Sequence, residues 1–410
     1  MQFSTAVDIT KSRYPIVYSD KILTLGSCFA DQMAEKCRKY LFQITANPFG
    51  VLYNPFSIAY AIQAMANEDM NVPVVFHNGV YHSLFHHSVF SSGSQMELQN
   101  NVQQSIIEGH KALQEANVVI VTFGTAFVYA LKNLSLLVNN HFNEPFVVAN
   151  CHKLPPQNFD RYRMDVQEIV DLWQSILDYF PNKHWIFTVS PIRHLQDGLH
   201  ENQLSKATLQ LAIEQLMKKN TQRKISYFPA YEILLDELRD YRYYADDLLH
   251  PSSVAVEYVW EKFASTFMHT TEQTEMKRMN KLYLNTQHRP NIPNSAEQAK
   301  FQQMTQKLYN SLLPNHPWIQ QTTPSFKPIT TKIPQDATNE QFRQITNKIY
   351  RAIQPQPRQL TQPIPTYTAP RMTPQPITNV NYRPIDRHLP YEDRVKEVTR
   401  KLSKMLKINS

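Results

Sequence analysis

Short apolar runs alternate with stretches of helical periodicity along the first two thirds of the chain. Ile22 to Leu25, Val118 to Phe123, Trp185 to Val189 and Ile225 to Phe228 read as buried strands, too short for helices and rich in β-branched residues. Phe29 to Tyr40, Val166 to Phe180, Glu201 to Lys219 and Ser253 to Met268 carry the three-to-four-residue apolar repeat of amphipathic helices. Several helix starts are marked locally. Asn54 precedes Pro55, Asp165 precedes Glu168 at capping-box spacing, and Ser252 stands before the last helix. Strands separated by helices predict a mostly parallel sheet covered on both faces.

Such sheets open their ligand crevice at the carboxyl ends of the strands. Four segments fall there: Gly26-Ser27-Cys28, Gly124-Thr125-Ala126, Ser190-Pro191 and Asp246 to Ser252. One site could collect all four.

Beyond about residue 310 the pattern changes. Pro, Gln and Thr dominate, 16 of the 27 prolines lie beyond position 280, and such stretches cannot build a core. Residues 1–312 are therefore expected to form the folded domain and 313–410 a largely disordered tail. One motif recurs at identical offsets: Phe301, Met304, Thr305, Lys307, Leu308, Leu312; then Phe342, Ile345, Thr346, Lys348, Ile349, Ile353; then Val395, Val398, Thr399, Lys401, Leu402, Leu406. The first, fourth, eighth and twelfth positions predict three short amphipathic helices, the tail's two at about 340–353 and 391–407. Helices this short are marginal alone, so each should fold on a protein partner or on the body.

Residues 271–410 hold 21 Lys and Arg against 9 Asp and Glu, so the basic excess belongs to this end of the chain. Widely spaced cations and sparse aromatics there make no strong case for nucleic acid. Three cysteines are too few for a disulfide framework, no run suits a signal peptide or a membrane span, and a cytoplasmic location is the expectation.

The candidate chemistry is nucleophilic. Ser27 sits where a strand meets a helix N-terminus, and amides there favour a developing negative charge. Asp247 and His250 are three apart before Pro251, close enough for carboxylate and imidazole to touch within one turn. Cys28 is a rival nucleophile, a thiol at the same helix start, against a plain packing role. His82, His86 and His87 lack the companions of a zinc site; adjacent His86 and His87 should face opposite sides of a strand, with one or two of the three lining the cleft. His152, His194 and His200 read as crevice lining or satisfied loop residues. No metal or cofactor is called for.

Leu25-Gly26-Ser27-Cys28-Phe29-Ala30 resembles the signature of the GSCFA family, a branch of the SGNH/GDSL hydrolase superfamily. Asn47-Pro48-Phe49-Gly50, Phe123-Gly124-Thr125-Ala126, Ala149-Asn150-Cys151-His152-Lys153, Ser190-Pro191-Ile192-Arg193-His194, His250-Pro251-Ser252 and His288-Arg289-Pro290 resemble further segments of that family. The resemblance implies a three-layer αβα, flavodoxin-like fold, Ser27 as nucleophile, Asp247 and His250 as its relay, and Gly50 in the oxyanion hole. Gly124 falls in the third motif block. An asparagine is expected two residues after that glycine, where Ala126 stands, so the usual side-chain donor is missing from its place. The amides of Cys28 and Gly50, or Thr125 or Asn54, are the alternatives, with Arg193 among the crevice residues.

Function follows as an expectation. A serine-dependent esterase would act through an acyl-enzyme on a small ester or an acylated glycan, with acyl transfer as an alternative outcome of the same chemistry. A ligand-binding domain without turnover, its tail acting as an adaptor, is the alternative from another class.

Overall fold

A computed structural model describes residues 4–138, 142, 144–288 and 296–322. In chain order it contains β1 (Lys21–Gly26), α1 (Cys28–Lys39), β2 (Gln43–Ala46), α2 (Pro55–Asn67), β3 (Val74–His77), β4 (Val80–Ser83), α3 (Gln95–Glu115) and β5 (Val118–Phe123). Then come β6 (Phe127–Leu131), β7 (Phe146–Val148), β8 (Phe159–Arg163), α4 (Val166–Tyr179), β9 (His184–Val189), α5 (Leu199–Lys219) and β10 (Ile225–Phe228). The one-turn α6 (Ala230–Glu232), α7 (Ser253–Phe267), α8 (Thr270–Gln287), α9 (Ala296–Leu312) and α10 (Ile319–Thr322) follow.

The five-stranded sheet has the order β2-β1-β5-β9-β10, and every neighbouring pair is parallel. Both faces are covered, so β5 and β9 are buried at every position and read as unbroken apolar runs. On one face Ile22, Val118, Ile120, Ile186 and Phe228 meet Phe29 and Met33 of α1 and Trp260 and Phe263 of α7. On the other, Trp173 of α4 packs edge-on to Phe123 and Phe187, at 5.1 and 5.3 Å between ring centres. Its indole N–H donates to the Pro55 carbonyl at 3.2 Å, tying α4 to the start of α2. The fold is therefore α/β, with helices on both faces of a parallel sheet.

The local helix signals act as expected. Asn54 Oδ1 accepts from Ser57 N–H at 2.8 Å, and Asp165 with Glu168 forms both bonds of a capping box. Two small antiparallel sheets, β3-β4 and β7-β6-β8, were not foreseen, and they stand in the connections between sheet strands. The first repeat is helical within α9, but its buried stripe differs. Met304 is 57% exposed, whereas Thr305 is fully buried, accepting from Asn285 Nδ2 and donating to the Phe301 carbonyl, each at 2.9 Å. A hydroxyl with both partners satisfied is cheap to bury, which turns the helix by one position. Packing also continues past 312, because Trp318 Nε1 donates to the Leu41 carbonyl at 3.0 Å and Ile319 is buried. The repeats at about 340–353 and 391–407 lie outside the described residues. No helix among the described residues is long and apolar enough to cross a membrane.

His86 is a core residue, not a strand residue as its neighbours suggested. It stacks on Phe49 at 4.1 Å between ring centres, and its two nitrogens bond the hydroxyls of Ser83 (2.8 Å) and Ser105 (3.0 Å). Burial pushes the imidazole down to about 3. The unfolded chain thus binds a proton that the folded chain refuses, and stability falls as pH drops from the ordinary histidine range toward 3. Urea unfolding between pH 7 and 4 should show a slope shallower in His86→Gln than in the native chain, by up to about 1.4 kcal/mol per pH unit. Equal slopes would remove His86 as the acid-labile group.

Candidate active site

The site begins where β1 ends. Gly26 has φ +141°, and a Cβ there would lie 2.2 Å from the Thr122 carbonyl oxygen, so only glycine lets β1 close onto β5. Gly26 N–H donates to Asn47 Oδ1 at 2.8 Å, and Asn47 Nδ2 in turn donates to Asp31 at 2.7 Å. Ser27 then caps α1. Its N–H reaches the Thr122 carbonyl at 3.2 Å and its Oγ accepts from Phe29 N–H at 3.3 Å, a weak bond. The side chain is buried at the positive end of the helix.

Asp247 and His250 meet within a tight loop between β10 and α7. Asp247 Oδ2 lies 2.5 Å from His250 Nδ1, while Oδ1 accepts from the Leu249 and His250 amides at 2.9 and 3.0 Å. Those two amides, then the imidazole, hold the carboxyl down to about 2, so it is anionic at any working pH. An anionic partner on Nδ1 keeps a proton there and leaves Nε2 as the basic nitrogen. Among the described residues Ser27 Oγ and His250 make no hydrogen bond to each other.

A cleft of about 400 Å³ opens beside these groups. Cys28, Asn54, Thr125, Arg193 and His250 line it, with Tyr53, Phe127, Tyr129, Ile192 and His194 among the other walls. Residues from three of the four strand-end segments therefore share one space, and in place of Ser190-Pro191 the residues just after it, Ile192 to His194, reach the cleft. Ser27, Asp247, Gly50 and Gly124 are not among its lining residues.

Hydrogen bonds decide which expected oxyanion donors are free. Gly50 N–H is spent on the Asn47 carbonyl (2.7 Å), and Gly124 and Thr125 N–H both go to the Tyr53 carbonyl (2.7 and 3.0 Å). Thr125 Oγ1 accepts from Phe127 N–H and bonds Ser205 Oγ, each at 3.1 Å. Those three are structural ties rather than open donors. The Cys28 amide opens α1, where the first N–H groups have no intrahelical acceptor. Asn54 uses Oδ1 to cap α2, and its Nδ2 has no hydrogen bond among the described residues.

Arg193 lines the cleft as expected and has a second part besides. Its guanidinium donates to the Leu248 carbonyl and lies 4.3 Å from the Tyr244 ring centre, so it clamps the loop that carries Asp247 and His250. Cys28 Sγ sits 3.6 Å from Tyr53 OH. The histidines of the 82–87 segment do not line the cleft: besides buried His86, His82 bonds Ser91 Oγ at 2.7 Å and His87 caps a short 3-10 turn. His152 Nε2 bonds the Ser83 carbonyl at 2.7 Å, and His200 is exposed.

Sequence reasoning missed the inner face of α5. Asn202, Ser205 and Lys206 are all buried there, and Lys206 Nζ donates to the Gly124 and Ser190 carbonyls at 2.6 and 2.7 Å. A signal existed: these polar residues fall on one helical side at spacings of three and four, where Leu209, Ile213 and Leu216 continue the buried stripe.

Fold and site together define a parallel α/β domain with an aspartate–histidine pair over the cleft at its carboxyl edge. The chain belongs to the GSCFA family, whose family model matches residues 21–263, from the start of β1 into α7. No curated protein matches it. Among solved structures it is similar to an acetyl xylan esterase, Est2A, from the rumen bacterium Butyrivibrio proteoclasticus, at 10% identity and a TM-score of 0.28. That similarity covers 61% of this chain, and the chain spans 64% of the esterase's length.

The Arg193 clamp is open to measurement. A charge-assisted bond and a cation–π contact together are worth about 2 kcal/mol, so Arg193→Met should speed local opening roughly tenfold or more. Amide exchange at Leu249 and His250 reads this directly, and unchanged rates there would show that the loop holds itself.

Proposed function

We propose that this chain is a serine-dependent acyl-ester hydrolase acting through an acyl-enzyme at Ser27. The observation that carries the reading is the Asp247–His250 bond of 2.5 Å on the wall of a cleft that begins at Cys28, the residue after Ser27.

Each group has a defined task. Asp247 holds the imidazole with its proton on Nδ1, and His250 Nε2 takes the Ser27 proton as Oγ attacks the ester carbonyl. The weak contact from Phe29 N–H to Ser27 Oγ is readily exchanged for the contact with Nε2 when substrate enters. The π pair of the carbonyl moves onto its oxygen, where the Cys28 amide, the dipole of α1 and Asn54 Nδ2 offset the charge. Collapse of that intermediate expels the alcohol, which receives its proton from His250. Water, deprotonated by the same nitrogen, then releases the acid and restores Ser27.

Substrate size follows from the cleft. Its volume of about 400 Å³ admits a small ester or one acylated sugar unit. Phe127, Tyr129, Val148 and Ile192 offer apolar and aromatic surface, which suits an acyl group or a sugar face.

A fluorophosphonate probe tests nucleophile and class together. Labelling is expected in the native chain and in Cys28→Ala and should vanish in Ser27→Ala; labelling that survives in the Ser27 variant and disappears in the Cys28 variant would overturn the assignment. Asn54→Ala should lower kcat on p-nitrophenyl acetate by about 100 to 1000-fold, the usual cost of losing one oxyanion donor. An unchanged kcat would take Asn54 out of the reaction.

A further inference from the structure

The third motif block lacks its asparagine, and the amides of Gly124 and Thr125 are spent on Tyr53. A donor on that side of the carbonyl must come from another element, and the buried face of α5 directs attention to His194.

Asn202 Oδ1 accepts from His194 N–H at 3.0 Å, which fixes the backbone of this residue. Ser205 Oγ accepts from Ala126 N–H at 2.7 Å, and Lys206 joins the Gly124 and Ser190 carbonyls. One helix face thus ties the loop after β5 to the loop after β9. The imidazole of His194 stands where the two loops meet. Its ring lies edge-on to Tyr53 at 5.9 Å between ring centres. Its Nε2 is only 3.4 Å from the place a Cβ on residue 124 would occupy, so the missing side chain of Gly124 leaves the histidine its room. His194 lines the same cleft as His250, and neither ring nitrogen makes a hydrogen bond among the described residues.

The groups facing it set its charge. Lys206 comes from α5, His250 with its partner Asp247 from the loop before α7, Tyr53 and Cys28 from the opposite wall, and Arg193 and Asp197 from its own loop. Burial first, then the Lys206 ammonium, then His250, push the imidazole down to about 4. Near neutral pH it therefore carries one proton and keeps one lone pair.

We propose that His194 is a catalytic residue of this site: its neutral imidazole donates an N–H to the ester carbonyl oxygen as that oxygen becomes an oxyanion, in place of the side chain missing at Ala126. Lys206 is a positioning residue. It holds the two loops at the spacing that brings His194 to the cleft, and its charge adds to burial in keeping the ring from taking a second proton. The proposal rests on Ser27 as nucleophile. The proton of Ser27 passes to His250, the carbonyl π pair goes to oxygen, and His194 keeps its own proton throughout. A neutral donor of this kind stabilises the transition state without becoming a competing acid, as other enzymes achieve by lowering a histidine pKa.

The test uses the full chain with a fluorophosphonate probe and p-nitrophenyl acetate. In His194→Ala the rate constant of Ser27 labelling and kcat should both fall about 100 to 1000-fold, with KM changed only a few-fold. His194→Gln, which restores a neutral N–H donor, should recover at least about tenfold of the loss. Imidazole carbon–proton NMR of the native chain should show His194 titrating near 4. In Lys206→Met that midpoint should move up toward the ordinary histidine value, and kcat should acquire an acid limb at the same pH. Labelling of His194→Ala at the native rate overturns the proposal and leaves Ser27 standing; so does a native His194 that titrates at an ordinary value, a result that needs no variant to fold. A native chain whose Ser27 takes no label overturns the hydrolase reading and the role of His194 with it.

Discussion

The structure depends on one close approach, that of β1 to β5 at Gly26. A side chain at this position would come within 2.2 Å of the Thr122 carbonyl oxygen, so the strands can pair as far as Gly26 opposite Thr122 only because none is there. Everything nearby is referred to that contact. The Ser27 amide bonds the same carbonyl, the Gly26 carbonyl accepts Leu52 N–H at 2.9 Å, and α1 starts directly beyond the sheet edge. The segment from Asn47 to Asn54 is thereby folded against the end of β1, which carries Tyr53 and Asn54 to the cleft. The order β2-β1-β5-β9-β10 reverses direction between β1 and β5, so the contact also lies where open α/β sheets form their crevices.

Around it the site is held by buried polar ties rather than by apolar packing alone. Lys206 is fully buried, and its ammonium is met by two carbonyls and by the face of Tyr231 at 5.4 Å. Burial pushes it down to about 7, while the short carbonyl bonds favour its charged form. Stability by itself does not call for such a group, since replacing buried charge with apolar residues is often neutral or favourable. What the lysine provides is geometry, fixing the two strand-end loops beyond the backbone bond from Ser190 N–H to the Phe123 carbonyl at 2.8 Å. Arg193 does the same for the Asp247–His250 loop from the outside, where its guanidinium spans Leu248 and Tyr244.

Much of the framework was legible in the chain. β5 and β10 fall where their apolar runs stand, and the caps at Asn54, Asp165 and Ser252 bond the amides their spacing implied. The two small antiparallel sheets were not legible, because β3, β4 and β7 are only three or four residues long, β3 and β4 pairing with each other and β7 with β6. The histidines of the 82–87 segment were misread for a related cause. Two serines, Ser83 nearby and Ser105 on α3, satisfy both nitrogens of His86, and nothing in the spacing of histidines announces a distant hydroxyl.

Thus the sequence by itself determined the alternation of strands and helices, the glycine that lets β1 meet β5, and the Asp247–His250 pair. These are set by contacts within a few residues, or by a backbone geometry that only one residue type accepts. The tertiary structure alone decided which donors remain open at the cleft. Gly50, Gly124 and Thr125 were candidates until Asn47, Tyr53 and Ser205 took their hydrogen bonds, whereas Asn54 Nδ2 and the ring nitrogens of His194 make none among the described residues. That outcome turns on side chains and carbonyls brought together from distant strand ends, a relation that sequence spacing does not encode.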